Sequence, residues 1–198
     1  MRTRLVYSKR YAACFVPHVA LSAIFSRTAL RAGLKLEMTQ GFSPRAKISF
    51  APELPAGVIA LNEPVEIFFA DSVPDNIIQI LNYALPDGFH ISEILFPSEN
   101  SVSLGKICSH AMYSIKSSSI KPEVLNSLLH EHYENQIIKS DLNDDWLNFI
   151  IKSPAQNGIG SFVRHIISLD IIKGWHQINI VRQKIGSWNE NRKDFYLV

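Results

Sequence analysis

Blocks of apolar and polar positions along the first half of the chain predict an alternation of strands and helices. Short apolar runs bounded by Gly, Pro and polar residues indicate strands, and apolar positions three and four apart indicate helices. The predicted elements are strands over residues 5–7 and 12–16, a helix over 17–31, strands over 35–39, 47–50 and 65–69, a helix over 76–85 and a strand over 90–96. When neighbouring short strands are taken together, the order is strand, helix, strand, strand, helix, strand, which is typical of the ferredoxin-like, or split βαβ, fold.

A weaker form of the same pattern follows in the second half, after a polar linker over residues 97–105. The predicted elements there are a strand over 112–117, a helix over 122–133, strands over 136–139 and 146–152, a helix over 161–169 and a strand over 177–182. We therefore predict an α+β protein of two tandem ferredoxin-like halves with antiparallel sheets. The N-terminal domain would occupy residues 1–97 and carry a basic motif, and the C-terminal domain would occupy residues 106–198.

Charge is unevenly distributed along this chain. Residues 1–50 contain nine Lys or Arg against a single acidic residue, Glu37, whereas residues 51–100 contain eight Asp or Glu and no Lys or Arg. One interpretation is a basic surface that meets phosphate groups, with the acidic stretch elsewhere in the fold. The other is that the two segments pair with each other. The sequence leaves both open, because the choice depends on where the acidic stretch folds.

Composition narrows the classes of protein to which this chain can belong. Hydrophobic residues make up 46% of the 198 positions, which is enough for a buried core. Two cysteines, Cys14 and Cys108, are too few for a disulfide scaffold, a four-thiolate zinc site or an iron–sulfur cluster, and we expect both to be buried. No apolar run is long enough to span a bilayer, and the charged start of the chain differs from a secretory signal. These features predict a cytoplasmic protein without a cofactor or a metal site.

One segment carries a family resemblance. The run Arg-Ala-Gly-Leu at 31–34, followed by Gly-Phe-Ser-Pro-Arg-Ala-Lys-Ile-Ser-Phe-Ala at 41–51, resembles the radical-SAM-linked protein family, a domain of unknown function encoded beside or fused to radical SAM proteins. That family usually has Gly-Phe-Asn-Pro-His-Pro-Lys-Ile-Ser-Phe-Ala there, so this chain departs from it at Ser43, Arg45 and Ala46. The family's Ser-His-Leu-Asp at the first helix corresponds to residues 17–20 here, where only His18 matches.

The resemblance implies an accessory role. Radical SAM catalysis requires three thiolates on one cluster, which two cysteines cannot supply. We therefore expect a non-catalytic accessory or adaptor to a radical SAM enzyme that binds RNA or tRNA through its basic N-terminal surface. Residues assigned to nucleic-acid or partner binding are Arg27, Arg31, Gly41, Phe42, Pro44, Arg45 and Lys47. Arg27 and Arg31 share a helix face, and Phe42 would stack on a base.

Two alternatives remain open at this stage. His18 begins the first helix, where a neutral imidazole is favoured and a general base would be available, so the chain would be an RNA-processing or RNA-modifying enzyme. In the second alternative the basic segment binds an acidic protein, and the chain is a protein–protein adaptor without nucleic acid. Neither alternative involves a metal, since the spacing of the histidines lacks a metal-ligand signature.

Overall fold

A computed structural model describes residues 1–98 and 100–197 of the chain. The helices are α1 His18–Arg31, α2 Ile77–Ala84, α3 Leu104–Ile107, α4 Pro122–Tyr133 and α5 Ile159–Ser168. The strands are β1 Arg2–Lys9, β2 Ile48–Phe50, β3 Ile59–Phe68, β4 Phe89–Leu95, β5 His110–Ser117, β6 Ile137–Asn143, β7 Trp146–Lys152, β8 Ile178–Asn189 and β9 Asp194–Tyr196. The predicted α+β class is confirmed.

These strands form one continuous sheet rather than two. The order is β4-β1-β3-β8-β5-β7-β6, with β2 paired to β3 and β9 paired to β8. Neighbouring strands run antiparallel except β3 and β8, which are parallel where Ile59 and Ala60 meet Val181 and Arg182. We call this β3–β8 contact the seam, because it joins the first half of the chain to the second.

The helices cover two separate hydrophobic clusters. In the first, α1 and α2 lie on β1, β3 and β4, with Phe25 contacting Tyr7 edge to face at a ring distance of 5.0 Å. In the second, α4 and α5 lie on the strands of the C-terminal half. This second cluster also takes in Ala51, Leu54 and Val58, which come from the connection between β2 and β3. The core of the second half therefore depends on residues of the first.

Several predicted elements have the bounds that the sequence pattern gave. The helix predicted over 17–31 is α1, which begins one residue later, and the helix at 122–133 and the strand at 146–152 are confirmed. Gly33 ends the first helix because its φ of +71° continues the chain in a left-handed turn, which places the Leu34 N–H on the Ala29 carbonyl at 2.9 Å. The expectation that Cys14 and Cys108 are buried is also confirmed, and burial raises the pKa of the Cys108 thiol to about 12.

Two predicted strands are wrong. Residues 12–16 lie in a 3-10 helix, Tyr11–Phe15, because Ala13 and Val16 donate to carbonyls three residues back. Residues 35–39 are extended but make only isolated bridges, from Leu36 to Phe69 and from Met38 to Ala46. The linker also differs in part, since its last residues begin the short helix α3.

The arrangement as two tandem ferredoxin-like halves stays a prediction, as does the division into domains at residues 97 and 106. None of the helices within the described residues is both long and apolar enough to cross a membrane.

Candidate functional site

An open groove runs between α1 and the extended segment at residues 35–46. Its volume is about 750 Å³. The groove is lined by Val19, Ser22, Ala23, Ser26 and Leu30 of α1, by Lys35, Leu36, Met38, Pro44, Arg45 and Ala46 of the facing segment, and by Ala70. The α1 side chains recur at intervals of three and four residues, so they form one stripe along the helix. Val19 and Leu30 are exposed although they are apolar, and we call this feature the α1 groove.

One of the predicted arginines lines the α1 groove, and the other two lie on α1 outside its lining. Arg45 lines it directly from the extended segment. Arg27 and Arg31 each follow a groove-lining residue, Ser26 and Leu30, so helix geometry places them about 100° round the helix from the stripe. All three arginines are exposed. We call Arg27, Arg31, Arg45 and the neighbouring Phe42 the arginine surface.

The loop at residues 40–44 presents Phe42 to solvent. Its relative exposure is 110%, so it has no part in the core. Gly41 has a φ of +131°, a conformation that side-chain-bearing residues rarely adopt, and Pro44 lies in the wall of the α1 groove. On the far side of the loop, the Arg45 N–H donates to the Thr39 hydroxyl at 3.0 Å. Gly41 and Pro44 therefore shape the loop, and Phe42 is the side chain that it offers.

Lys47 differs from the arginines in its contacts. Its Nζ donates to the Glu37 carboxylate at 2.8 Å and lies 4.1 Å from the centre of the Phe68 ring. An exposed ion pair of this kind adds little stability, but it neutralises the lysine charge locally. Lys47 therefore contributes less positive potential to the arginine surface than its position in the sequence suggests.

Internal ion pairs neutralise much of the basic N-terminal segment. Arg2 and Arg4 both bind Glu66, and Lys35 lies 3.9 Å from Asp71. With Lys9 buried and Lys47 paired, five of the nine cations are engaged within the fold. The other four cations are Arg10, Arg27, Arg31 and Arg45, and none of them forms an ion pair with a residue that the structure describes. Pairing with the acidic stretch thus holds for Arg2, Arg4 and Lys35, and a surface that meets phosphate groups stays a prediction for the unpaired arginines.

His18 points away from the α1 groove into a small cavity at the seam. This cavity has a volume of about 10 Å³ and is lined by Tyr7, Lys9, His18, Leu21, Ala51, Leu54, Ala60, Glu63 and Arg182. The His18 ring packs edge to face on Phe50 with a ring distance of 5.7 Å. Burial, ahead of the opposing effect of Glu53, lowers the pKa of His18, so the imidazole is neutral at pH 7. A space of this size holds one water molecule at most, which leaves no room for a nucleotide beside the ring.

The centre of this seam cluster is a buried ion pair. Arg182 Nε donates to Glu63 Oε1 at 2.7 Å, and a second guanidinium nitrogen donates to the Pro52 carbonyl at 3.0 Å. Lys9 lies beside them with its Nζ donating to the Val16 carbonyl at 3.1 Å, and burial lowers the pKa of that amine. The partners come from both halves of the chain, so the cluster ties the seam together.

Some of these residues lie outside the sequence prediction. The sequence does carry a signal for the apolar stripe of α1. Val19 and Leu30 lie outside the apolar face that α1 turns to the core, so they give the helix a second apolar face. The pairing of Glu63 with Arg182 across 119 positions carries no local signal. The structure separates the predicted residues into two places, the arginine surface and the His18 cavity.

Comparison with known proteins matches most of the chain to one family. The family described as uncharacterised proteins conserved in bacteria, DUF2344, matches residues 2–144. The match includes the α1 groove, the arginine surface and His18, and it ends after β6. A search of the curated proteins finds no match.

Proposed function

This chain belongs to the DUF2344 family, and we propose that it is a non-catalytic accessory protein that binds single-stranded RNA through the arginine surface. In this proposal it presents the RNA to a partner enzyme of the radical SAM class. The partner is inferred from the sequence resemblance at residues 31–51, and the RNA from the chemistry of the surface.

The observation that carries the proposal is the exposure of three arginines that form no ion pair, together with the fully exposed ring of Phe42. Guanidinium groups outside ion pairs are free to neutralise phosphates, and an exposed Phe42 offers a face on which a base stacks. Within the described residues, the carboxylates of the following acidic stretch that form ion pairs do so with other cations: Glu66 with Arg2 and Arg4, Asp71 with Lys35 and Glu63 with Arg182. The positive potential of the arginine surface is therefore not cancelled by direct pairing.

The architecture is consistent with this role. The first half has strand order β4-β1-β3-β2 and the second has β8-β5-β7-β6, each of which is the fourth, first, third and second strand of its half. This order supports the finer inference of two ferredoxin-like units joined edge to edge at the seam. In this arrangement α1 packs on the sheet through Leu21 and Phe25, and the segment before the loop at residues 40–44 bridges to Phe69.

Direct binding tests the proposal. Fluorescence anisotropy of a labelled, unstructured RNA of about 12 nucleotides should show saturable binding at about 50 mM salt, weakening steeply towards 200 mM because bound cations replace counterions on the phosphates. Absence of binding at the lower salt concentration would rule out RNA as the ligand of the arginine surface.

Replacing Phe42 with Ala is expected to weaken RNA binding about tenfold. Loss of one base-stacking contact removes roughly 1–3 kcal/mol, and the side chain is too exposed for its loss to disturb the core. Stacking involves no phosphate, so the slope of log K against log salt should stay that of the wild type. Phe15, which is 69% exposed on the 3-10 helix, provides the matched control. If Phe42→Ala and Phe15→Ala bind RNA equally well, the ring has no stacking role.

A protein–protein adaptor is the second candidate, and the apolar lining of the α1 groove favours it. Val19, Ala23, Leu30 and Met38 provide a surface that phosphates do not use. Under this alternative, an acidic protein covers the α1 groove and no RNA binds. A competition experiment separates the RNA-binding proposal from the adaptor alternative. If the surface binds RNA, a protein that covers the same surface will displace it, whereas an adaptor of this kind binds no RNA at all. The small His18 cavity gives no comparable support to an RNA-processing enzyme.

A further inference from the structure

A second groove lies on the sheet in the C-terminal half, on the face opposite α4 and α5. Side chains alternate along a strand, so Tyr113 and Phe149 enter the core while Met112, Ser114 and Asn148 face the other way. The strands β8 and β9 form one wall, and the volume is about 440 Å³. Its lining is Asn62, Met112, Ser114, Lys139, Asp141, Asn148, Phe149, Ile150, Gln183, Lys184, Trp188, Lys193, Asp194 and Phe195. We call it the sheet groove, and it shares no residue with the arginine surface.

Polar side chains cross the floor of the sheet groove in a connected row. Gln183 Nε2 donates to Ser114 Oγ at 3.0 Å, and Ser114 donates to Asn148 Oδ1 at 2.6 Å. Asn148 Nδ2 in turn donates to Asp141 Oδ2 at 3.2 Å. Asn62 extends the row on β3 by donating to the Gln183 carbonyl at 2.8 Å. The row spans five adjacent strands, β3, β8, β5, β7 and β6.

This chain of hydrogen bonds fixes which atoms remain for a ligand. The carboxylate of Asp141 orients Asn148, which orients Ser114, so each donor and acceptor has one direction. In the part of the chain that the structure describes, Gln183 Oε1 has no protein partner and Asn148 Nδ2 retains one hydrogen beyond its bond to Asp141. Gln183 lies on β8 and Asn148 on β7, with Ser114 of β5 between them, so the acceptor and the donor are separate contact points for the polar atoms of a planar heterocycle.

An aromatic wall stands beside this polar row. Trp188 and Phe195 are opposite each other on β8 and β9, with ring centroids 5.2 Å apart and planes inclined at 60°. Met112 and Ile150 add apolar surface on the floor. Indole and phenyl faces bind flat rings by stacking, and methionine adapts to their edges. The sheet groove therefore combines a stacking surface with hydrogen-bonding groups.

The charged side chains of the sheet groove form ion pairs within the protein. Lys184 binds Asp194 at 2.9 Å, Lys139 lies 3.7 Å from Asp141, and Lys193 binds Glu190 at 2.9 Å. A phosphate entering here would meet the carboxylates of Asp141 and Asp194 before any free cation. The ligand that fits is uncharged.

We propose that the sheet groove binds one free nucleoside, with its base against Trp188 and its polar groups on Asn148 and Gln183. The volume lies within the range of small-molecule sites, and a few directed polar groups among apolar ones are the usual composition of such sites. Asp141 lines the same groove and is exposed, so its carboxylate can accept hydrogen bonds from ribose hydroxyl groups. The site does not depend on RNA binding at the arginine surface.

Isothermal titration calorimetry of the full chain with adenosine, guanosine, cytidine and uridine tests this site. We expect saturable binding at one site for at least one of the four, with the corresponding 5′-monophosphate binding more weakly because of Asp141 and Asp194. Ribose alone should not bind. Binding of none of the four nucleosides, or tighter binding of the monophosphate, would overturn the proposal.

Two variants and two matched controls locate the ligand. Asn148→Asp keeps the side-chain size but removes the donors, and Trp188→Leu removes the stacking face; each should weaken binding at least tenfold. Asn135→Asp and Trp175→Leu make the same changes at exposed positions outside the groove and should bind as the wild type does. Circular dichroism and urea unfolding establish that each variant is folded. Wild-type affinity in both groove variants would place the nucleoside elsewhere and contradict the assignment.

Discussion

Replacing Glu63 with Ala is expected to destabilise the protein by about 3–5 kcal/mol, the largest effect of any single substitution considered. Glu63 and Arg182 are 3% and 1% exposed, so removal of the carboxylate leaves a guanidinium charge in the core with neither water nor a counter-ion. Burial disfavours the charged form of Arg182 and Glu63 raises its pKa in the wild type, but a guanidinium stays protonated without that help, so the charge persists in the variant. Since the pair lies where β3 meets β8, its loss weakens the junction between the two halves.

Urea unfolding monitored by circular dichroism measures this effect. The matched control is Asp194→Ala, which removes a pair of similar geometry with Lys184 at 2.9 Å on the surface, and it should cost less than about 1 kcal/mol. The double variant Glu63→Leu with Arg182→Met should recover most of the lost stability, because buried ion pairs are often replaceable by apolar groups. A Glu63→Ala variant as stable as the Asp194→Ala variant would show that water reaches Arg182.

The sequence predicted the elements whose determinants are local. Pro17 and Gly33 bracket α1, and the apolar positions between them supply its period. The same reasoning gave the bounds of α4 and β7. It failed at residues 12–16, where an apolar run has the composition of a strand but Ala13 and Cys14 are buried by a 3-10 turn.

Long-range pairing was beyond the sequence pattern. Arg4 and Glu66 neutralise each other because the register of β1 and β3 places them directly opposite, and no local pattern gives that register. The parallel contact of β3 with β8 likewise depends on where the whole second half docks. For this reason the charge count of the first fifty residues predicted a basic surface but not its extent. In the structure that surface consists of a few exposed arginines.

Replacing Arg27, Arg31 and Arg45 together with Ala is expected to weaken RNA binding on the order of a hundredfold. Each exposed guanidinium should neutralise one phosphate of a single strand, so the slope of log K against log salt should fall in magnitude by about 2. Because the three side chains are exposed and outside the ion pairs of the described residues, stability should change by less than about 0.5 kcal/mol. The effect should therefore arise at the surface and not through unfolding.

A control must remove the same charge elsewhere. Lys106, Lys121 and Lys152 are exposed and lie outside the α1 groove, and their replacement by Ala lowers the net charge by the same three units. This control variant should lose only the small affinity that a general change in potential produces. Lys47→Ala should behave similarly, since Glu37 and Phe68 already engage that lysine.

The salt dependence of RNA binding, measured by anisotropy for the wild type, the triple-arginine variant and the triple-lysine variant, tests the central claim most directly. The proposed function predicts a shallow slope and a large loss of affinity in the triple-arginine variant alone. Equal slopes and equal affinities in the two triple variants would contradict it, because the arginine surface would then contribute no more than any other positive charge on the protein.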